Sequence, residues 1–219
     1  MTRGVWLAIG LSLPISIAGQ EAARVLDGAG AAYRRIHTLE VEFEQVIDNP
    51  MVGGRDVAHG RLYLRTPDRF AMRFSDPEGD LIVADGEWLW LFAPSSTPDQ
   101  VMRAPVPESG AATPNLFAQF VDRPERRYDA TFLDSVALEG RTVDRVRLVP
   151  RVEGLAFREA VITVSREDGL IRVLDLTEDT GQRRTLRFTH FLLNRPIDPS
   201  IFAFHPPRGV RVVSLNGGP

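Results

Sequence analysis

The pattern of apolar and polar positions changes period once along the chain. From Glu21 to Ile36, Ala22, Val25, Leu26, Ala29, Ala32, Tyr33 and Ile36 recur at helical spacing, with Glu21, Arg24, Asp27, Arg34 and Arg35 opposite them. The spacing predicts an amphipathic helix, which Gly28 and Gly30 weaken by about 1 kcal/mol each relative to alanine. The period then drops to two. Leu39-Glu40-Val41-Glu42-Phe43-Glu44 alternates strictly and reads as a strand with one wet face. Leu62 and Leu64 repeat the pattern between Arg61, Tyr63 and Arg65, and Phe70, Met72 and Phe74 repeat it among Arg69, Ala71 and Arg73. Further strands are expected near 80–84, 87–93, 100–104, 128–134, 142–149, 158–166, 170–177 and 183–192. Asp85-Gly86, Glu139-Gly140, Asp168-Gly169 and Thr180-Gly181 separate several of them as turn signals. Such short separators require antiparallel neighbours, because a parallel crossover needs a dozen residues or more. The expectation is a single mainly β (α+β) domain of about eleven strands.

Two interruptions add short helices. Thr113-Pro114 opens a segment from Asn115 to Val121 in which Leu116, Phe117 and Phe120 share a helical face. Asp198-Pro199-Ser200-Ile201-Phe202 suggests one helical turn near the end. At the other end, Met1-Thr2-Arg3 and the apolar run Val5 to Ala18, closed by small residues at Ser16 and Ala18, read as a secretory signal peptide over 1–18. The single domain then runs from 19 to 219.

Composition narrows the function classes. The chain has 219 residues, 43% of them hydrophobic and 25% charged, which excludes a disordered chain and a polytopic membrane protein. All 26 basic residues are arginine and stand against 29 acidic ones, so there is no one-sided basic field for nucleic acid. The short run Arg123, Arg126, Arg127 reads as a solvated edge. With no cysteine, an exported domain must be stable through its core alone.

Catalytic signals are missing. His37, His59, His190 and His205 share no ligand spacing, no Gly-x-Ser-x-Gly elbow is present, and Gly28-Ala29-Gly30 lies inside a helical pattern rather than after a strand. The reading is therefore not an enzyme, with no metal and no cofactor. The unusual feature is surplus apolar material. In Trp88-Leu89-Trp90-Leu91-Phe92 both faces of one strand are apolar, and the pattern does not say which face turns inward. A sheet with wet outer faces and short amphipathic helices can curl around an apolar hollow, as barrel-like sheets that hold hydrophobic ligands do.

Five landmarks, in order, resemble the periplasmic outer-membrane lipoprotein carrier (chaperone) family, the LolA type. They are the helix leading into Leu39-Glu40-Val41-Glu42-Phe43-Glu44-Gln45; the hairpin segment Gly60-Arg61-Leu62-Tyr63-Leu64-Arg65-Thr66-Pro67-Asp68-Arg69-Phe70; Val83-Ala84-Asp85-Gly86-Glu87-Trp88-Leu89-Trp90 after Pro77; the Thr113-Pro114 helix start; and Phe202-Ala203-Phe204-His205-Pro206-Pro207-Arg208-Gly209-Val210. The resemblance implies a curved antiparallel half-barrel of about eleven strands with a lid of short helices over its concave face. It implies an acyl-binding cavity walled by Leu39, Val41, Phe43, Leu62, Leu64, Phe70, Met72 and Phe74. If Asp85-Gly86 is a two-residue turn, Ile82 faces Leu89 across it, and Ile82, Leu89 and Leu91 are further wall positions. The lid would carry Val25, Leu26, Leu116, Phe117 and Phe120.

The implied function is to take acylated lipoproteins from an inner-membrane lipoprotein-releasing ABC transporter complex and pass them, as a monomer in the periplasm, to an outer-membrane lipoprotein receptor. The alternative is a lipid-sensing periplasmic regulator on the same half-barrel. One departure stands out. The family places an arginine before the proline of the second hairpin, where it ties the lid shut. Here Thr66 holds that position and Arg65 lies one residue earlier. A one-residue shift on a strand reverses side-chain direction, so the latch at Arg65 or Thr66 is in question and a looser lid is expected.

Overall fold

The computed structural model describes residues 17–51, 53–106 and 115–215. The expected leader up to residue 16 and the Thr113-Pro114 helix start lie outside the described residues. The amphipathic pattern becomes helix α1 (Ile17–Tyr33), with Ala22, Val25, Leu26, Ala29 and Ala32 on its buried face. The strands follow as β1 (Thr38–Asn49), β2 (Gly54–Arg65), β3 (Arg69–Asp76), β4 (Glu78–Ala84), β5 (Trp88–Phe92) and β6 (Gln100–Pro105). After the one-turn helix α2 (Ala118–Val121) come β7 (Tyr128–Leu138), β8 (Arg141–Pro150), β9 (Glu159–Ser165), β10 (Ile171–Thr177), β11 (Arg183–Leu193) and β12 (Arg211–Ser214).

All twelve form one open sheet in the order β12-β6-β5-β4-β3-β2-β1-β11-β10-β9-β8-β7. The eleven expected strands are present. The twelfth, β12, is a four-residue strand that pairs parallel to β6. The short-separator argument does not reach it, because it returns from a distant part of the chain.

The sheet curls so that alternate residues of β1–β4 and β7–β11 converge on one buried cluster, together with α1 and α2. A second, smaller cluster lies on the outer face. There Tyr63, Ala71, Leu81 and Val83 are covered by Phe202, with Ile197, Ile201 and Phe204 around it. The covering segment contains the expected turn as a 3-10 helix, Pro199–Phe202, whose first free N–H, from Ser200, is accepted by the Asp198 side chain. Arg73 clamps it by donating to the carbonyls of Ile201 (2.8 Å) and Ala203 (3.1 Å).

This outer cluster explains the doubly apolar strand. Val83 pairs with Trp90 and Leu81 with Phe92, which puts Trp88, Trp90 and Phe92 on the outer side, where Phe204 lies 5.7 Å from both the Trp90 and Phe92 rings. Leu89 and Leu91 take the concave side with Ile82 and Ala84. The register differs from the expected two-residue turn. Ile82 pairs with Leu91, and Leu89 pairs with Ala84. The Asp85 carboxylate accepts the N–H groups of Glu87 and Trp88 and the indole N–H of Trp90, holding a wider loop. A shift of two residues leaves the faces unchanged.

Candidate functional site: the interior between sheet and helices

The concave wall is built by strand alternation. Leu39, Val41, Phe43, Leu62, Leu64, Phe70 and Met72 are all buried in the main cluster, and Phe74, Ile82 and Leu89 pack against it half-buried. Leu91 reaches the same side by its pairing with Met102 and Ile82. The lid positions Val25, Leu26, Phe117 and Phe120 belong to that cluster too, with Leu116 at its margin. The fold therefore brings the two expected residue sets together.

Among the described residues the two sets meet directly, the lid side chains packing into the space between the walls. Phe117 and Phe120 are fully buried. Phe117 stacks on Tyr33 (5.0 Å) and meets Phe188 edge-on (4.9 Å). Phe120 lies among Tyr128 (6.2 Å) and Phe157 (5.7 Å). Among the described residues, α2 thus points its aromatic rings into the bowl where the trough is expected. Five surface grooves among the described residues, of about 790, 610, 420, 490 and 600 Å³, touch the wall set at Phe43 and Phe74.

The helices are held in different ways. α1 is anchored along its length. Arg24 approaches Asp144 at 3.8 Å, and Asp144 also takes two bonds from Arg166 (2.8 and 2.9 Å) and one from the Ser135 hydroxyl (2.6 Å). Burial alone raises the Asp144 carboxyl, but these bonds and the charges of Arg166 and Arg24 outweigh it and hold the group below its ordinary range. The Tyr33 hydroxyl accepts from the Ile171 N–H at 3.3 Å. Burial pushes this phenol strongly upward, against the opposing Ile171 bond and Arg172 charge. A methyl on Gly169 would lie 2.9 Å from the Ala32 side chain, so the β9–β10 turn touches α1 directly.

α2 is a single turn, shorter than the helix expected over Asn115 to Val121. The Asn115 side chain accepts the N–H groups of Phe117 and Ala118, so these first amides prefer an Asx turn to more helix. Its far end meets α1 at Gly30, where a Cβ would come within 3.0 Å of the Val121 carbonyl.

Neither expected latch residue touches a lid helix. Arg65 sits over the outer Phe202 ring, 5.3 Å from its centroid. Thr66 bonds the His37 carbonyl through its N–H (3.0 Å) and hydroxyl (3.3 Å), in the connection between α1 and β1. The same connection is held by Asn194, which accepts from the His37 N–H and donates to the Arg35 carbonyl.

Sequence reasoning named the wall only from the first strands. The opposite wall, Val146, Leu148, Ile162, Leu174, Leu186 and Phe188, carries the same alternation and was legible by extending it through β8–β11. Tyr128 and Phe157 had no such signal, since their role depends on where α2 lands. Among the described residues no group of His, Asp and Glu could hold a metal ion, and no helix is long and apolar enough to cross a membrane.

The fold is thus a curved, mainly antiparallel half-barrel with the long α1 and, among the described residues, the short α2 packed into its concave cluster. Residues 34–205 match the family model described as outer membrane lipoprotein carrier protein LolA. Two relatives, each named outer-membrane lipoprotein carrier protein, match along nearly the whole chain. That of Alkalilimnicola ehrlichii is 28% identical over 98% of this chain and 95% of its own. That of Halorhodospira halophila is 30% identical over 94% of this chain and 91% of its own. An uncharacterized conserved protein from Thermus thermophilus shares the fold at a TM-score of 0.56 and 13% identity, covering 89% of this chain and 99% of its own. The chain belongs to the LolA family of outer-membrane lipoprotein carrier proteins.

Proposed function

We propose that this protein is a periplasmic carrier that binds the acyl chains of lipoproteins between its curved sheet and its helices, and moves them from an inner-membrane ABC transporter complex to an outer-membrane receptor. Residues 1–18 would be the export signal. The observation that carries the reading is the apolar concave face, walled by β1–β5 and β7–β11 and packed against a helix only one turn long.

The energetics favour a carrier that needs no covalent step and no cofactor. A buried methylene contributes about 0.8 kcal/mol, so a fifteen-carbon acyl tail in water costs roughly 12 kcal/mol. A lipoprotein with several tails cannot cross the periplasm unaided. Among the described residues Phe117 and Phe120 pack against the apolar wall, so acyl chains that reach it there displace these rings. That exchange makes loading reversible. The plug competes for the same apolar surface and assists release, while a receptor that binds the cargo better supplies direction. The unbranched Met72 in the wall suits varied chain shapes.

The test is native mass spectrometry of protein taken from the periplasm, with its depletion followed by locating lipoproteins in the two membranes. Co-purified lipoprotein, and retention of lipoproteins in the inner membrane on depletion, are expected. A protein that carries no acylated cargo and whose loss leaves lipoprotein distribution unchanged would overturn the reading.

A further inference from the structure

Among the described residues, α2 is held largely by what its aromatic rings touch. Its internal bonds run from the N–H groups of Phe120 and Val121 to the Phe117 carbonyl and from that of Asp122 to Ala118. A one-turn helix leaves its later carbonyls without intrahelical partners, and inside a core each needs a donor from elsewhere. For Gln119 the donor is the Tyr128 hydroxyl at 3.0 Å, with an Arg127 guanidinium N–H at 3.4 Å on the same oxygen. Tyr128 is fully buried at the first position of β7, and its ring lies nearly parallel to that of Phe120, 19° between planes. One residue thus grips the plug twice, by ring contact and by hydrogen bond, from the rigid sheet. α1 also touches the plug, through Tyr33 on Phe117, but in contrast has contacts of its own to the sheet, from Arg24 to Asp144, from Ala32 to the Gly169 turn and from the Ile171 N–H to the Tyr33 hydroxyl.

We propose that the Tyr128 hydroxyl, bonded to the Gln119 carbonyl, is the fastener that sets how readily α2 leaves the core, and that the interior opens by movement of α2 while α1 stays docked. This rests on the carrier reading for its purpose but not for its physics. The hydroxyl remains a donor at any physiological pH. Burial pushes the phenol up to about 12, with the Arg127 charge pulling the other way.

Tyr128→Phe keeps the buried ring and removes only the bond, so hydrogen exchange in the ligand-free protein isolates the effect. The amides of Phe120, Val121 and Asp122 should exchange three- to ten-fold faster, the range a single lost hydrogen bond gives, with the buried amides of α1 unchanged. Arg127→Gln should give a smaller increase in the same amides, in keeping with its longer bond. Unchanged α2 exchange in Tyr128→Phe would overturn the proposal, as would an equal rise in α1 and α2. A second arm measures uptake of a tripalmitoylated cysteine peptide. Faster uptake by Tyr128→Phe is expected, and uptake at the wild-type rate despite faster α2 exchange would overturn the role in opening. If the wild-type protein takes up none, the carrier reading fails while the exchange result stands on its own.

Discussion

At the scale of single residues, the two glycines of α1 look alike in sequence and differ in space. A Cβ at Gly28 would meet nothing within 4 Å, whereas one at Gly30 would press on the Val121 carbonyl of α2. Gly28→Ala should therefore raise stability by about 0.5–1 kcal/mol, the helix-propensity gain, seen as a higher urea midpoint. Gly30→Ala gains the same propensity but pushes α2, so a smaller net gain or a loss is expected, with faster exchange in α2. Asp144 offers a second residue-scale test. Its folded pKa lies below the unfolded value of about 3.9, so its pairing stabilises the fold fully above that value and is lost as pH falls through the folded one. Asp144→Asn should cost about 1–3 kcal/mol at pH 7, and the gap to wild type should narrow as pH falls below 4 in urea titrations.

At the scale of elements, the C-terminal segment is a separate unit laid across the outer face. Arg73 holds it through three hydrogen bonds to two carbonyls. Arg73→Met should loosen residues 197–204 without opening the concave core. The expected signs are a red shift in tryptophan emission, because Trp90 loses Phe204, and earlier protease cleavage in that segment. The hairpin of β2 and β3 is the opposite case. A Cβ on Gly60 would lie 2.3 Å from the Arg73 carbonyl and 2.8 Å from the Phe43 ring. Gly60→Ala should cost more than about 2 kcal/mol, measured by thermal or urea unfolding.

At the scale of the whole molecule, apolar residues divide between two faces with different duties. The concave cluster joins sheet and helices, and the outer cluster fastens the chain's end. Trp88 and Trp90 belong to the outer side. Filling the interior with an acyl ligand should therefore leave their emission nearly unchanged, while Phe120→Trp should report loading directly. A large change in native tryptophan emission on loading would mean that the outer cluster moves as well.

Most of the wall was legible because it depends on local order. In a strand, Leu39, Val41 and Phe43 must share a side whatever else the chain does, and a burial cost on one face pins that side inward. The same rule placed Leu62, Leu64, Phe70 and Met72, and it put Arg65 out of reach of a lid on the concave side. Three things escaped it. The inward face of Trp88–Phe92 was decided by Phe202 and Phe204, more than a hundred residues away, and β12 exists only because the chain returns to β6. The filling of the bowl was decided by how deeply α2 inserts, which depends on the shape of a cavity made by nine strands and a helix. Periodicity records which side chains avoid water; which partners exclude it is a matter of packing among distant segments, and that belongs to the tertiary structure.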